Sequence, residues 1–208
     1  MEFDFIICGG GSAGSVLAAR LSEYPGLSVC LIEAGGMGRD ILVRAPALVA
    51  AMVSGRPPIH NWAYHTTPQP GLNGRRGFQP RGKALGGSSA INAMLYVRGH
   101  PSDYDDWADA GATGWDWASV LPYFLRAEGN ARPGALHGQV GPLQVGDQRY
   151  PRPITRAFIR AMAEQQVPET PDFNGETQDG AGLYQVTQFH SGPRTGERCS
   201  AAAAYLHP

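Results

Sequence analysis

Cysteine is scarce: Cys8, Cys30 and Cys199 are the only three in 208 residues, and they form no CxxC pair. That argues against a disulfide framework or a zinc module, and predicts small core hydrophobes in a reducing compartment. Positive charge is also short. Seventeen Lys and Arg stand against eighteen Asp and Glu, a net charge of −1, and the basic residues do not cluster. Without a basic patch, neither nucleic acid nor an anionic membrane surface is an expected partner. No apolar run approaches the roughly 20 residues that span a bilayer. The acidic start, Met1-Glu2-Phe3-Asp4, lacks the basic region of a secretory leader. A soluble, cytoplasmic protein is expected. With 42% hydrophobic residues the chain is not disordered, and has material for one sizeable domain or parts of two.

Glycine, by contrast, is abundant, at 28 residues. One cluster, Gly9-Gly10-Gly11-Ser12-Ala13-Gly14, lies between an apolar run at 3–8 and a helix-like stretch at 15–22. Phe5-Ile6-Ile7-Cys8 reads as a buried parallel strand, and Leu17, Ala18 and Leu21 give the next segment one apolar face. A second apolar run starts at Leu27 and ends on the acid Glu33. This order predicts a nucleotide-binding βαβ unit. Gly9 permits the tight turn, Gly11 lets backbone N–H groups approach a pyrophosphate, Gly14 allows close helix–strand packing, and Glu33 accepts from a ribose hydroxyl. The helix N-terminus adds partial positive charge where phosphate lies. An adenine dinucleotide is the expected ligand, the alternative being a crossover whose glycines only make turns.

Beyond Glu33 the regular alternation of strand and helix stops. Residues 37–87 read as a long irregular region with clusters such as Arg56-Pro57-Pro58 and Pro68-Gln69-Pro70-Gly71, and one short helix over 46–52. A loop of that length is uncommon unless it covers a ligand. Trp62, Tyr64 and Phe78 give it anchors that a flexible linker lacks, so it is expected to wrap a cofactor.

A second glycine-rich element follows, Arg81-Gly82-Lys83-Ala84-Leu85-Gly86-Gly87-Ser88-Ser89-Ala90-Ile91-Asn92-Ala93-Met94. Gly86-Gly87 lets the main chain approach a planar ring or diphosphate, Ser88 and Ser89 offer hydroxyls, and Asn92 offers an amide for polar ring edges. The plainer alternative is a Gly-Ser turn that opens a helix at Ala90. This element resembles the first signature of the GMC (glucose-methanol-choline) oxidoreductases, flavin enzymes that oxidise alcohols. Further segments are similar to the family in the same order: Glu33-Ala34-Gly35-Gly36, Trp62-Ala63-Tyr64, Pro68-Gln69-Pro70-Gly71-Leu72-Asn73-Gly74-Arg75, His100-Pro101-Ser102-Asp103-Tyr104-Asp105-Asp106-Trp107, and residues 175–184. The choline-dehydrogenase-like branch is the most similar subgroup.

The resemblance implies an α/β fold, with a Rossmann-like FAD-binding domain over 1–147 and the beginning of an α+β substrate domain over 148–208. It implies that Gly9, Gly11, Ser12, Ala13, Gly14, Glu33 and Ala34 hold the ADP half of FAD. Gly82, Gly86, Gly87, Ser88, Asn92, Ala93 and Met94 then lie along the pyrophosphate and ring. Some members attach flavin through a histidine; Ile91 occupies that position here, so non-covalent FAD is expected. Ala93 matches the small residue beside flavin N5. An alcohol is the implied substrate, with oxygen or a quinone as electron acceptor. The catalytic histidine is expected beyond Pro208, so the chain reads as truncated, well under half of a typical member. Two other readings stay open, a catalytically inactive FAD-binding fragment and a nicotinamide dehydrogenase.

The rest reads as structural. Asp116 is expected to cap a helix from Trp117 to about Glu128, with Val120, Leu121, Phe124 and Leu125 facing a core and Pro122 tolerated near its first turn. Ile154, Phe158, Ala161 and Met162 give residues 153–165 a similar stripe, and residues 137–145 read as a turn and a short strand. His60, His65, His100, His137, His190 and His207 have neither metal spacing nor paired carboxylates, so each is expected to be structural or exposed. Trp62 and Tyr64 are expected in core packing, with the rim of the active site as the alternative.

Overall fold

The computed structural model describes residues 1–55 and 58–207, so Arg56 and Pro57 of the expected Pro-rich cluster lie outside the described residues. The chain divides into two compact units, one formed by Met1–Met94 with residues 196–207, the other by Leu95–Thr195.

The first unit opens with the expected βαβ unit. β1 (Phe5–Cys8) and β2 (Val29–Ile32) pair in parallel, Phe5 opposite Val29 and Cys8 opposite Ile32. The crossover helix α1 (Ser12–Leu21) starts inside the glycine cluster, three residues before the apolar pattern that announced it, because Gly11 already stands as its extended N-cap. Burial departs from expectation. Ile6 is 61% and Ile32 54% exposed, Cys8 is exposed, Cys30 is half-buried, and only Cys199 is a core cysteine. Leu17 on α1 is also exposed, while Ala18 is buried. A sheet face is buried only where another layer packs on it, and this sheet has two strands among the described residues.

The irregular region contains more structure than its sequence suggests. Asp40 caps α2 (Ile41–Arg44), its carboxylate accepting from the Leu42 N–H at 3.0 Å. The helix expected over 46–52 is a 3-10 turn, Pro46–Leu48, running into α3 (Val49–Val53). β3 (Tyr64–His65) then pairs antiparallel with β4 (Phe78–Gln79). The Gly-Ser signature makes a 3-10 turn, Gly87–Ala90, with no α-helix opening at Ala90. Val43, Met52, Ala90 and Ile91 form a buried cluster that anchors the signature to α2 and α3.

In the second unit β5 (Leu95–Tyr96) leads to α4 (Pro101–Asp109) and α5 (Trp117–Ala127). His100 and Asp103 form a capping box on α4, and Asp116 caps α5 through the Ser119 N–H as its position in the sequence implied. Tyr104, Trp117 and Phe124 then pack ring against ring between these helices. β6 (Glu128–Asn130) pairs in parallel with β7 (Leu143–Val145), α6 (Pro153–Glu164) follows, and β8 (Gln185–Val186) pairs antiparallel with β5. α6 buries Ile159, whereas Ile154 and Phe158, expected in the core, are 75% and 60% exposed. Ile159 lines a cavity shared with Thr170, Pro171 and Leu183, so the tertiary surroundings rather than periodicity chose the buried face. The expected boundary at 147/148 falls inside this unit, because Gly146 bridges to Val186 and Asn130 bonds Gln185.

The chain returns to the first unit through α7 (Ala201–Tyr205), which packs on α1 and on the signature turn. Its four alanines are buried, small side chains that permit the approach. Among the described residues no helix is long and apolar enough to cross a membrane.

Candidate nucleotide site

The two glycine-rich runs meet backbone to backbone. Gly86 N–H donates to Gly10 C=O at 2.7 Å, and Leu85 N–H donates to Gly36 C=O at 2.9 Å. Gly87 has φ +53°, and a Cβ on it would stand 2.7 Å from Gly11 Cα. No side chain fits there, so the approach itself requires glycine. Gly14 is fixed by a different contact: a Cβ would lie 1.9 Å from Gly9 C=O, so α1 could not begin so close to the end of β1.

Glu33 holds this arrangement together. Its Oε2 accepts from Gly10 N–H at 2.8 Å and its Oε1 from Gly35 N–H at 2.7 Å, which fixes the glycine loop to the end of β2. Ser15 Oγ, buried, donates to Gly10 C=O at 3.0 Å. The N-cap Gly11 has no side chain to satisfy the first turn of α1, so that turn's N–H groups face outward as donors. Above the loop there is room: a Cβ at Gly9 would meet nothing within 4 Å, and one at Gly11 only Gly87 Cα at 3.9 Å. Ser12, Ala13 and Ala34 are exposed beside this space. An open glycine cradle at an uncapped helix N-terminus suits a pyrophosphate.

The signature side supplies the polar groups. Ser88 Oγ accepts from Gly82 N–H at 3.2 Å, and Ser89 Oγ accepts from Ala201 N–H at 2.9 Å. Asn92 and Ala93 are exposed, while Ile91 and Met94 are buried. Sequence reasoning missed Arg198. Only 1% exposed, it donates from Nε to Val43 C=O at 2.9 Å and from Nη1 to Asn92 C=O at 2.7 Å and Asn92 Oδ1 at 2.9 Å. Burial pushes its guanidinium down to about 10. A lone arginine between Glu197 and Cys199 carries no local signal of that position.

Residues 3–208 match the family model described as GMC oxidoreductase. The chain belongs to that family. An oxygen-dependent choline dehydrogenase of Rhizobium etli (strain CIAT 652) is 46% identical over 209 residues, a match covering 100% of this chain and 37% of that protein. Pyridoxine 4-oxidase from Mesorbium loti superposes with a TM-score of 0.90 at 39% identity, over 99% of this chain and 39% of that one. An FAD-dependent oxidoreductase from Chaetomium thermophilum does so with a TM-score of 0.87 at 31% identity, over 98% of this chain and 36% of that one. The chain thus spans less than two-fifths of the length of these relatives. Its fold is the α/β, Rossmann-like FAD-binding fold of the GMC oxidoreductases, of the choline-dehydrogenase-like kind.

One expectation about side chains near this GMC signature needs revision. Trp62 and Tyr64 are not core residues: they are 40% and 51% exposed and stack on one another, rings 5.7 Å apart and 8° from parallel, with Lys83 Nζ 4.3 Å over Trp62. In the second unit His137 is buried, its Nε2 2.6 Å from Asp172 Oδ2 and its Nδ1 3.3 Å from Glu128 Oε1. The other histidines have local partners: His60 with Asp40, His100 with Ser102, His190 with Gly129 C=O, His207 with Arg39, and His65 against Phe78.

Proposed function

We propose that this chain binds FAD without a covalent link and forms the cofactor-holding part of a flavin-dependent alcohol dehydrogenase or oxidase. One observation carries the reading: the side-chain-free contact of Gly87 with Gly11, which joins the two glycine runs beside an open cradle. In a nicotinamide dehydrogenase the second run has no task. Gly9, Gly11, Ser12, Ala13 and Gly14 would bind the pyrophosphate through backbone N–H groups. Glu33 and Ala34 would border the ribose, and the carboxylate that pins Gly10 and Gly35 keeps lone pairs for a hydroxyl. Gly82, Gly86, Gly87, Ser88, Asn92, Ala93 and Met94 would line the ring side. When bound, flavin supplies the hydride acceptor; the chain's own task is to position it and shape access.

Non-covalent attachment follows from Ile91, which has no nucleophilic nitrogen and is buried among Val43, Met52 and Ala90. The likeness to a choline dehydrogenase and a pyridoxine oxidase supports an alcohol as substrate, with oxygen or a quinone as electron acceptor. None of the six histidines is assigned as the base. A reducing, cytoplasmic setting belongs to the same reading, on the strength of three free cysteines.

The test is titration of the chain with FAD, followed by flavin fluorescence and thermal denaturation. Saturable quenching and a raised melting temperature are expected, with NAD giving neither. Failure to quench overturns the FAD reading, and yellow colour that stays with the polypeptide in detergent overturns the non-covalent one. Ala93→Phe, assayed in the enzyme by alcohol-dependent dye reduction, should lose turnover while retaining FAD.

A further inference from the structure

Asn92 Oδ1 has two neighbours, Met94 N–H at 3.0 Å and Arg198 Nη1 at 2.9 Å. Neither a backbone amide nor a guanidinium can accept, so the oxygen of the Asn92 amide must be the atom turned toward them. Its Nδ2 is therefore turned away, and it donates to no group among the described residues. Arg198 does more than receive this oxygen. The same Nη1 bonds Asn92 C=O, Nε bonds Val43 C=O, and the backbone N–H of Arg198 donates to Arg44 C=O at 2.9 Å. Its Nη2 is buried without a partner, and no carboxylate among the described residues pairs with it. A buried cation held only by carbonyls and one amide is costly for stability alone, which points to a task beyond packing.

We infer that Arg198 is a positioning residue: it locks the Asn92 amide so that Nδ2 can only donate, toward an acceptor atom of the bound flavin nucleotide. The inference rests on the FAD reading above and adds a residue and a direction to it. An unlocked amide would rotate and present oxygen or nitrogen equally; a locked one presents two N–H donors and discriminates against a donor at the same place.

Three variants of the full chain test this, each with far-UV circular dichroism and unfolding in the absence of FAD as a fold control. Asn92→Asp keeps the acceptors that Arg198 and Met94 N–H require but removes the outward donor. It is expected to fold at least as well as the wild type, to bind FAD more weakly by on the order of tenfold, and to shift the visible flavin bands. Arg198→Met frees the amide and should weaken FAD by a similar factor. Arg198→Lys keeps the charge but cannot bridge Val43 and Asn92, and should rescue little. Wild-type chain that binds no FAD disproves the reading of the site itself. Wild-type chain that binds FAD, with Asn92→Asp binding it equally well and with unchanged bands, overturns the positioning role alone. If both Arg198 variants fail to fold, Asn92→Asp decides.

Discussion

Among the described residues two arginines are buried, and their surroundings differ. Arg98, in the second unit, gives Nη2 to Glu128 Oε2 at 2.6 Å and Nη1 to Leu136 C=O at 2.7 Å. Glu128 in turn accepts from Asn130 Nδ2 at 2.7 Å and Gly138 N–H at 2.8 Å, and Asn130 exchanges hydrogen bonds with Gln185. That network neutralises its charge, although Arg98 Nε, like Arg198 Nη2, is buried without a partner. Arg198, in the first unit, has carbonyls and an amide but no carboxylate. A charge-neutralised network holds a fold together; an uncompensated cation beside an exposed amide leaves polarity over for something that arrives later.

The comparison breaks first at Glu128. Glu128→Leu leaves Arg98 buried without its counter-charge, and should destabilise the chain by about 3–5 kcal/mol in denaturant unfolding; a loss near zero would mean that the network contributes little. Gly14→Ala acts on the other unit. Its Cβ collides with Gly9 C=O, so the start of α1 must move, and FAD affinity should fall on the order of tenfold, about 1.4 kcal/mol. Unaltered affinity by fluorescence titration would remove the first unit from nucleotide binding.

The smallest effect depends on pH. Burial pushes the Asp172 carboxyl up, but the Asn174 N–H, the hydrogen bond and charge of His137, and the charge of Arg132 outweigh it and hold the group below the ordinary 3.8. The folded state therefore binds fewer protons than the unfolded one near that pH. Stability from Asp172 is present above about 4 and is lost as pH falls through the lower folded value. Asp172→Asn should be less stable at neutral pH and lose less on acidification, as thermal melts at a series of pH values will show. Asp4 and Asp116, also held low by serine hydrogen bonds, keep the acid slope from vanishing. An identical slope in variant and wild type would exclude Asp172 from acid sensitivity.

Much of the fold is legible in short stretches of sequence. The glycine cluster with its flanking apolar runs predicts the parallel β1–β2 pair, and Asp116 marks the start of α5, because each signal is encoded within a few residues of where it acts. Burial is less legible. β1 and β2 read as buried strands and α6 as an amphipathic helix led by Ile154 and Phe158, yet Ile6, Ile32, Ile154 and Phe158 are exposed. Periodicity shows that a face is apolar, and only a packed neighbour makes it buried. The candidate site divides in the same way. Its glycines and Asn92 are visible in sequence, whereas Arg198 acts on Val43 and Ser89 from 155 and 109 residues away and leaves no local trace.

The amino-acid sequence by itself determined the βαβ start, the two side-chain-poor runs and the resemblance that joins them, since turn chemistry and strand pairing are written in neighbouring residues. Tertiary structure alone decided that Gly87 lies against Gly11, that Glu33 is spent on the backbone N–H groups of Gly10 and Gly35, and that one distant arginine fixes an amide. Those outcomes depend on which remote backbone groups need a donor or acceptor once folded, a demand that no local pattern of residues expresses.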